Sequence, residues 1–245
     1  MYDPAPVFRA LHHGCGPGDP LVLPGPWDAA SARAFEEAGF PALATPSAGV
    51  AAALGHADGR TPAAEMFAAV GRITRAVSVP VSADVEDGYG LAPEELVERL
   101  LEAGVVGCNL EDSTGGVLVD PLIHAERLAA VRAAAGDRLF LNARVDTYIH
   151  GERGAKDVLT DTVDRARLYV EAGADCVYPI MAPEAALPRL AESVPVPVNA
   201  LGTPDGPATA RRLGSLGASR ITFGPKLQRQ ATDAVRELAG RLLGP

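Results

Sequence analysis

Asp84 and Glu86 stand two residues apart in the segment SADVEDGYG. In an extended chain that spacing sends both carboxylates to the same side. Two acids held together need a cation or strong donors to offset their repulsion and desolvation. Other polar residues gather in a similar way. Asn109, Glu111 and Asp112 close the run GCNLED, and Asn142, Arg144 and Asp146 punctuate NARVD. Earlier, Thr45-Pro46-Ser47-Ala48-Gly49 is followed by His56 and Asp58. An all-oxygen donor set suits a hard divalent cation, Mg²⁺ or Mn²⁺. The same acids are also able to act as proton-transfer groups or to belong to an inert ion-pair network.

Several chemistries are excluded by spacing. DVEDGYG is not an EF-hand loop, because Tyr89 stands where the sixth-position Gly is required. Gly14-Cys15-Gly16-Pro17-Gly18 has no strand before it and a Pro inside it, so it reads as a loop and not as a dinucleotide fingerprint. His12 and His13 lack the helical spacing of a metal pair and are expected on the surface. His56, His124 and His150 are unpaired by spacing. Cys15, Cys108 and Cys176 are odd in number and far apart, which excludes a disulfide framework and a cysteine zinc site and points to a reducing cytoplasm.

The elements that must position these residues are legible as a rhythm. Short apolar runs recur at 21–24, 42–45, 79–85, 106–112, 139–145, 176–180, 196–201 and 220–224. Mostly apolar rather than alternating, they read as strands buried on both faces, as in a parallel sheet. Between them lie stretches of helical period. Pro62, Pro93, Pro121, Pro183 and Pro204 sit where helices would begin, and Gly39, Gly104, Gly173 and Gly217 where they would end. The recurring phrases EEAGFPAL, LEAGVVGC and VEAGADCV are the same helix, Gly stop and strand.

Eight such units in 245 residues predict an α/β fold of the (β/α)₈ TIM-barrel type, with a doubly wound sheet as the alternative. The expectation is a single catalytic domain over 1–245, with an N-terminal segment at 1–20 and a last helix at 226–243. In such a barrel the chemistry sits at the C-terminal strand ends. Asp84, Glu111, Arg144 and Asp58 all fall there, as do His56 and His150.

Composition bounds the partners. The chain carries 22 Lys+Arg against 31 Asp+Glu, a net charge of −9. Nucleic acid or an anionic membrane would select a basic surface instead. No apolar run approaches the roughly 20 residues of a membrane span. The N-terminus lacks the basic start and apolar stretch of a secretory signal, so a cytoplasmic protein is expected.

The ordered set PGPWDAASARAFEEAGFPAL, TPSAGVAAALGHADG, SADVEDGYG, GCNLEDS and NARVDTYIHG resembles the isocitrate lyase/phosphoenolpyruvate mutase superfamily over about residues 21–154. The resemblance implies a Mg²⁺-dependent enzyme, with Mn²⁺ as the alternative ion. Its substrate would be a small 2-oxo or 2-hydroxy carboxylate, handled through an enolpyruvate-like species. Asp84 resembles the direct metal ligand, and Glu86 takes the place of the second Asp in a D-x-D pattern. Glu111 and Asp58 resemble the acids that hold metal-bound waters. Arg144 resembles the arginine that grips the substrate carboxylate and oxo oxygen. Thr45, Ser47, Ala48 and Gly49 match a loop that cradles the carboxylate with backbone N–H groups.

The departure from the family lies after the fourth strand. Its carbon–carbon lyases carry a mobile Lys-Lys/Arg-Cys-Gly-His loop there, and its mutases and phosphonopyruvate hydrolases use Lys and Asn. Here the place reads DSTGGVLVD, with none of these, and Gly115-Gly116 forms either a lid hinge or a tight turn. The expected reaction is C–C bond cleavage. Phosphoenolpyruvate/phosphonopyruvate mutation or phosphonopyruvate hydrolysis is the alternative, and a non-catalytic 2-oxo acid binding protein the second. The resemblance further implies a homo-oligomer, dimer or tetramer, often with the last helices exchanged between subunits.

Overall fold

The computed structural model describes residues 4–16, 18–151 and 157–243. In chain order the elements are α1 (Pro4–His13), β1 (Leu21–Val22), α2 (Ala29–Glu37), β2 (Leu43–Thr45), α3 (Ser47–Leu54), α4 (Ala63–Thr74), β3 (Val81–Asp84), α5 (Pro93–Glu102) and β4 (Gly107–Glu111). A short hairpin of β5 (Ser113–Thr114) and β6 (Val117–Leu118) leads into α6 (Pro121–Ala135), β7 (Phe140–Val145), α7 (Thr147–His150) and α8 (Val158–Glu171). The chain continues through β8 (Cys176–Pro179), α9 (Leu187–Ser193), β9 (Asn199–Leu201), α10 (Pro207–Ser215), β10 (Arg220–Thr222) and α11 (Lys226–Leu243).

All eight expected strands are present and parallel, in a five-stranded sheet β2-β3-β4-β7-β8 and a three-stranded sheet β1-β10-β9. The ladder is therefore not one continuous closed cylinder. Two thin seams join the sheets: a parallel bridge between Val177 and Val198, and a hydrogen bond from the Ala44 N–H to the Pro24 carbonyl at 3.1 Å. Leu43, Val81, Cys108, Leu141 and Val177 are buried, as runs covered on both faces require. The four helix-ending glycines take left-handed φ from 76° to 103°, which only Gly adopts cheaply. Pro93 and Pro121 open their helices. Pro204 does not: α10 begins at Pro207, after Gly206 at φ 99°.

The N-terminal segment holds a helix that periodicity left unread. Ala5, Phe8 and His12 fall on the buried face of α1. Pro17 of the glycine-rich stretch beyond it lies outside the described residues. The expected surface position is right for His13 and wrong for His12, which is 2% exposed. Its ring stacks on Phe140 with centroids 4.0 Å apart, and its Nδ1 lies 2.8 Å from the Phe8 carbonyl. The α1 face, inserted between β7 and β10, wins over the polarity of one imidazole because a neutral ring with both nitrogens partnered, Nε2 by Arg220 Nη1 at 3.4 Å, is cheap to bury.

His124 is buried in the same way, edge-on to Tyr169. Burial pushes both histidines down to about 3, with Arg220 adding to the effect at His12 and Arg127 at His124. Each is neutral in the folded chain and titrates near pH 6.5 once unfolded. Its stabilisation is complete above pH 6.5 and is lost as pH falls from 6.5 towards 3. Two units below the unfolded value, the linkage is worth about 2–3 kcal/mol per histidine. Urea unfolding at pH 7.5 and 4.5 should therefore show a smaller acid penalty in His124→Phe, by about 2 kcal/mol. An unchanged penalty would mean that His124 is not neutral in the fold.

Candidate active site

The C-terminal strand ends open into one cavity of about 680 Å³. Thr45, Ser47, Ala48, Asp58, Asp84, Glu86, Glu111 and Arg144 all line it. They come from four adjacent parallel strands, so their meeting follows from the topology rather than from any local motif.

Asp84 is the last residue of β3, where its carboxyl is enclosed and accepts a hydrogen bond from Ser47 Oγ at 3.0 Å. Burial raises its pKa against the opposing pull of Arg144. Glu86 reaches the cavity by a different geometry from the extended one expected. The strand has already ended, and Glu86 sits at φ 53° with its N–H directed to Asp84 Oδ1 at 3.3 Å. A left-handed glutamate costs conformational energy, and such strain collects at functional sites. Its Oε1 is buried without a partner. Burial, then Asp84, pushes Glu86 up to about 7. Glu111 ends β4, and burial outweighs its Arg144 contact to push it up to about 8.

Arg144 is fixed by two acids. Its Nε and Nη2 donate to the two oxygens of Asp146 at 2.7 and 3.0 Å, and its Nη1 lies 2.6 Å from Glu111 Oε2. Although burial opposes the charge, Asp84, Glu111 and Asp146 together hold the guanidinium protonated. Asp146 is 0% exposed and also accepts from Ser113 Oγ at 2.7 Å. Its backbone N–H donates to Asp112 Oδ1 at 2.8 Å, while Asp112 Oδ2 accepts from Arg165 Nη1 at 3.0 Å and Tyr169 Oη at 2.7 Å. Asp112 thus belongs to a buried network behind the cavity. Asp146 is the residue that sequence reasoning passed over. The available signal was its place two residues after Arg144, on a chain just leaving its strand.

The segment Thr45–Gly49 is not a loop. Ser47, Ala48 and Gly49 form the first turn of α3, and the first helical bond there runs from the Val50 N–H to the Pro46 carbonyl at 3.0 Å. The Ser47 N–H is directed to Asp84, and the remaining first-turn N–H groups and the positive end of the helix dipole favour a carboxylate at this point. Thr45 Oγ1 is buried beside it without a partner. Gly49 does not line the cavity; a Cβ there would come within 2.9 Å of Pro46 Cγ, so its role is close packing. His56 is likewise outside, with Nε2 3.0 Å from Glu65 Oε2. Gly115 and Gly116, at φ 59° and 82°, make the tight turn of the β5–β6 hairpin. His150, Tyr178 and Lys226 also line the cavity.

The donor set suits the divalent ion that the resemblance implies. It is all oxygen and rich in carboxylate, with Asp58 exposed, and one buried glutamate oxygen lacks any partner. Among the described residues no three acids, histidines or cysteines stand close enough to enclose an ion by themselves.

The family model for phosphoenolpyruvate phosphomutase matches residues 8–243. The chain belongs to that family. An uncharacterized protein of Mycobacterium tuberculosis is 36% identical over 218 residues, covering 89% of this chain and 81% of that protein. The 2-methylisocitrate lyase of Aeropyrum pernix is 34% identical over 173 residues, 66% of this chain but 54% of the longer lyase. A solved Burkholderia cenocepacia J2315 structure, named as a candidate phosphonomutase, superposes with a TM-score of 0.88 at 39% identity, covering 98% of this chain and 99% of its own. The structure of 2,3-dimethylmalate lyase, a PEP mutase/isocitrate lyase superfamily member, gives 0.82 at 28% identity, over 97% and 86% of the two chains. The family is thus one of enzymes whose named members include both lyases and mutases.

Proposed function

We propose that this chain is a Mg²⁺-dependent enzyme, Mn²⁺ serving as alternative, that cleaves a C–C bond beside the carbonyl of a small 2-oxo or 2-hydroxy carboxylate. One observation carries the reading: three partly buried acids and a clamped arginine face the first turn of α3 across a single cavity. Asp84 would hold the ion directly, with Glu86, Glu111 and Asp58 holding its waters. A bound divalent ion supplies Lewis-acid stabilisation of the oxygen that gains charge as the bond breaks. Arg144 binds the carboxylate and oxo oxygen as a fixed donor fork. The remaining N–H groups of the first turn of α3 orient the carboxylate. C–C chemistry is preferred because relatives matching this chain are named 2-methylisocitrate lyase and 2,3-dimethylmalate lyase. P–C chemistry is the second reading, favoured by the family match itself and by the candidate phosphonomutase.

The unaltered protein should bind oxalate in calorimetry only when Mg²⁺ or Mn²⁺ is present. It should release pyruvate or glyoxylate from 2-hydroxy-tricarboxylates, 2,3-dimethylmalate or oxaloacetate. Phosphate release from phosphonopyruvate would select the second reading, and binding without turnover would make the chain a 2-oxo acid binding protein. No cation-dependent oxalate binding would end all three.

The two sheets are best understood as one closed eight-stranded barrel spanning a single domain, a reading supported by the two seams and by the superposition on relatives over nearly their whole length. No helix among the described residues is long and apolar enough to cross a membrane. The three unpaired cysteines support a cytoplasmic location. The partners proposed are the small carboxylate and a second copy of the chain, with no nucleic acid. The last helix supports the second copy. No residue of α11 is buried, and Val235 and Leu238 are 63% and 49% exposed. Between α2 and α10 lies an apolar groove of about 410 Å³ lined by Phe35, Phe40, Ala210 and Ile221. Docking the last helix of one copy into the groove of another would bury both surfaces. Light scattering should show a dimer or tetramer, reduced to a monomer by Leu238→Glu; a monomeric parent protein would end the proposal.

A further inference from the structure

His150 ends the single turn of α7 and lines the cavity. The Cβ position of Gly116, at the turn of the β5–β6 hairpin, lies 3.7 Å from its Cε1. The imidazole thus stands at the edge of the cavity, against the hairpin. Its ring makes no hydrogen bond or ion pair with a described residue.

Most other described groups of the cavity wall that exchange protons have partners or roles elsewhere; Thr45 Oγ1 has no partner but, as an alcohol, is a poor proton acceptor. Asp84, Glu86, Glu111 and Asp58 belong to the cation end, and three acids keep Arg144 protonated. Ser113 Oγ donates to Asp146, and Lys226 Nζ donates to the Gly202 carbonyl at 2.7 Å. Tyr178 is fully enclosed, and burial pushes its phenol up to about 12. What remains is a half-buried imidazole whose nitrogens meet no described partner, and histidine is the side chain most often used for proton transfer.

We propose that His150 is the proton-transfer residue of this site, an assignment that rests on the 2-oxo acid reading above. With pyruvate seated on Arg144, a neutral His150 nitrogen takes a proton from carbon 3. The C–H electron pair becomes the C2=C3 double bond, and the carbonyl pair moves onto its oxygen. Return of the proton reverses both shifts. In C–C cleavage His150 takes the proton of the 2-hydroxyl, whose oxygen becomes the new carbonyl. The electron pair of the broken bond stays on the departing carbon, and that carbon receives the proton back.

The half-reaction is testable without knowing the physiological substrate. Pyruvate incubated with the Mg²⁺-loaded protein in D₂O should lose its methyl proton signal in NMR, while calorimetry follows oxalate binding separately. In His150→Gln, oxalate affinity should stay within about twofold of the parent while exchange slows by on the order of 10²–10⁴-fold, the usual contribution of a positioned acid–base group. Added imidazole should partly restore exchange in His150→Ala, which a merely structural histidine would not allow. Exchange at the parent rate in His150→Gln overturns the assignment. So does a parent protein that binds oxalate yet leaves the pyruvate methyl unexchanged. Failure of the parent to bind oxalate overturns the cation-site reading itself, and His150's role with it.

Discussion

Asp84→Ala is expected to abolish Mg²⁺-dependent oxalate binding while leaving the fold at least as stable as that of the parent. The two halves of that result have one cause. Asp84 is enclosed at a strand end, where Ser47 Oγ and the Ser47 and Glu86 N–H groups are hydrogen-bond donors and burial already disfavours its charge. A carboxylate so placed costs stability unless a cation compensates it. Removing it from the metal-free chain should therefore raise Tm or leave it unchanged. Removing it from the working site should eliminate binding outright, since even neighbours of metal ligands are worth 10–100-fold in metal affinity. A residue serving only an ion-pair network would behave in the opposite way, with lower Tm and unchanged binding. Calorimetry with oxalate and Mg²⁺, beside thermal melts without metal, separates the two. Undiminished binding would remove Asp84 from the cation site.

The same residue shows how far the sequence alone reached. Asp84, Glu111 and Arg144 were legible because parallel strands deliver their C-terminal ends to one face, and the run of apolar residues before each marks where that end falls. Glu86 was identified by type but for a geometric reason that fails: the chain has left the strand and turned left-handed before reaching it. Local turn geometry of that kind is set by the fold around it and leaves little trace in spacing. The α1 helix did leave a trace, with Ala5, Phe8 and His12 at positions i, i+3 and i+7. It was masked by two prolines at the start and by treating His12 as polar. The role of Asp112 was not legible at all, and that of Asp146 only from its place two residues after Arg144. That of Asp112 depends on Arg165 and Tyr169, which lie more than 50 residues away and reach it only through packing of α8.

That network underlies the second large effect. Arg144→Lys should weaken Mg²⁺-dependent oxalate binding by about 10- to 150-fold, the equivalent of roughly 1.5–3 kcal/mol for a charged hydrogen bond. Charge is conserved in this substitution, so the loss measures geometry. An arginine spans Asp146 with two parallel bonds and still places a third nitrogen on Glu111. An ammonium on a flexible stem cannot hold both acids and face a substrate carboxylate at once. Asp146→Asn should give a smaller loss, because it frees the fork without removing it. If Asp146 acts only by aiming Arg144, the two losses will not add. The double variant should then bind oxalate more tightly than the summed effects predict, by at least about 0.5 kcal/mol, the lower end of coupling between residues in contact. Strict additivity would mean that Asp146 supports the site by some path other than the arginine. Parent-like affinity in Arg144→Lys would take the arginine out of the binding site altogether.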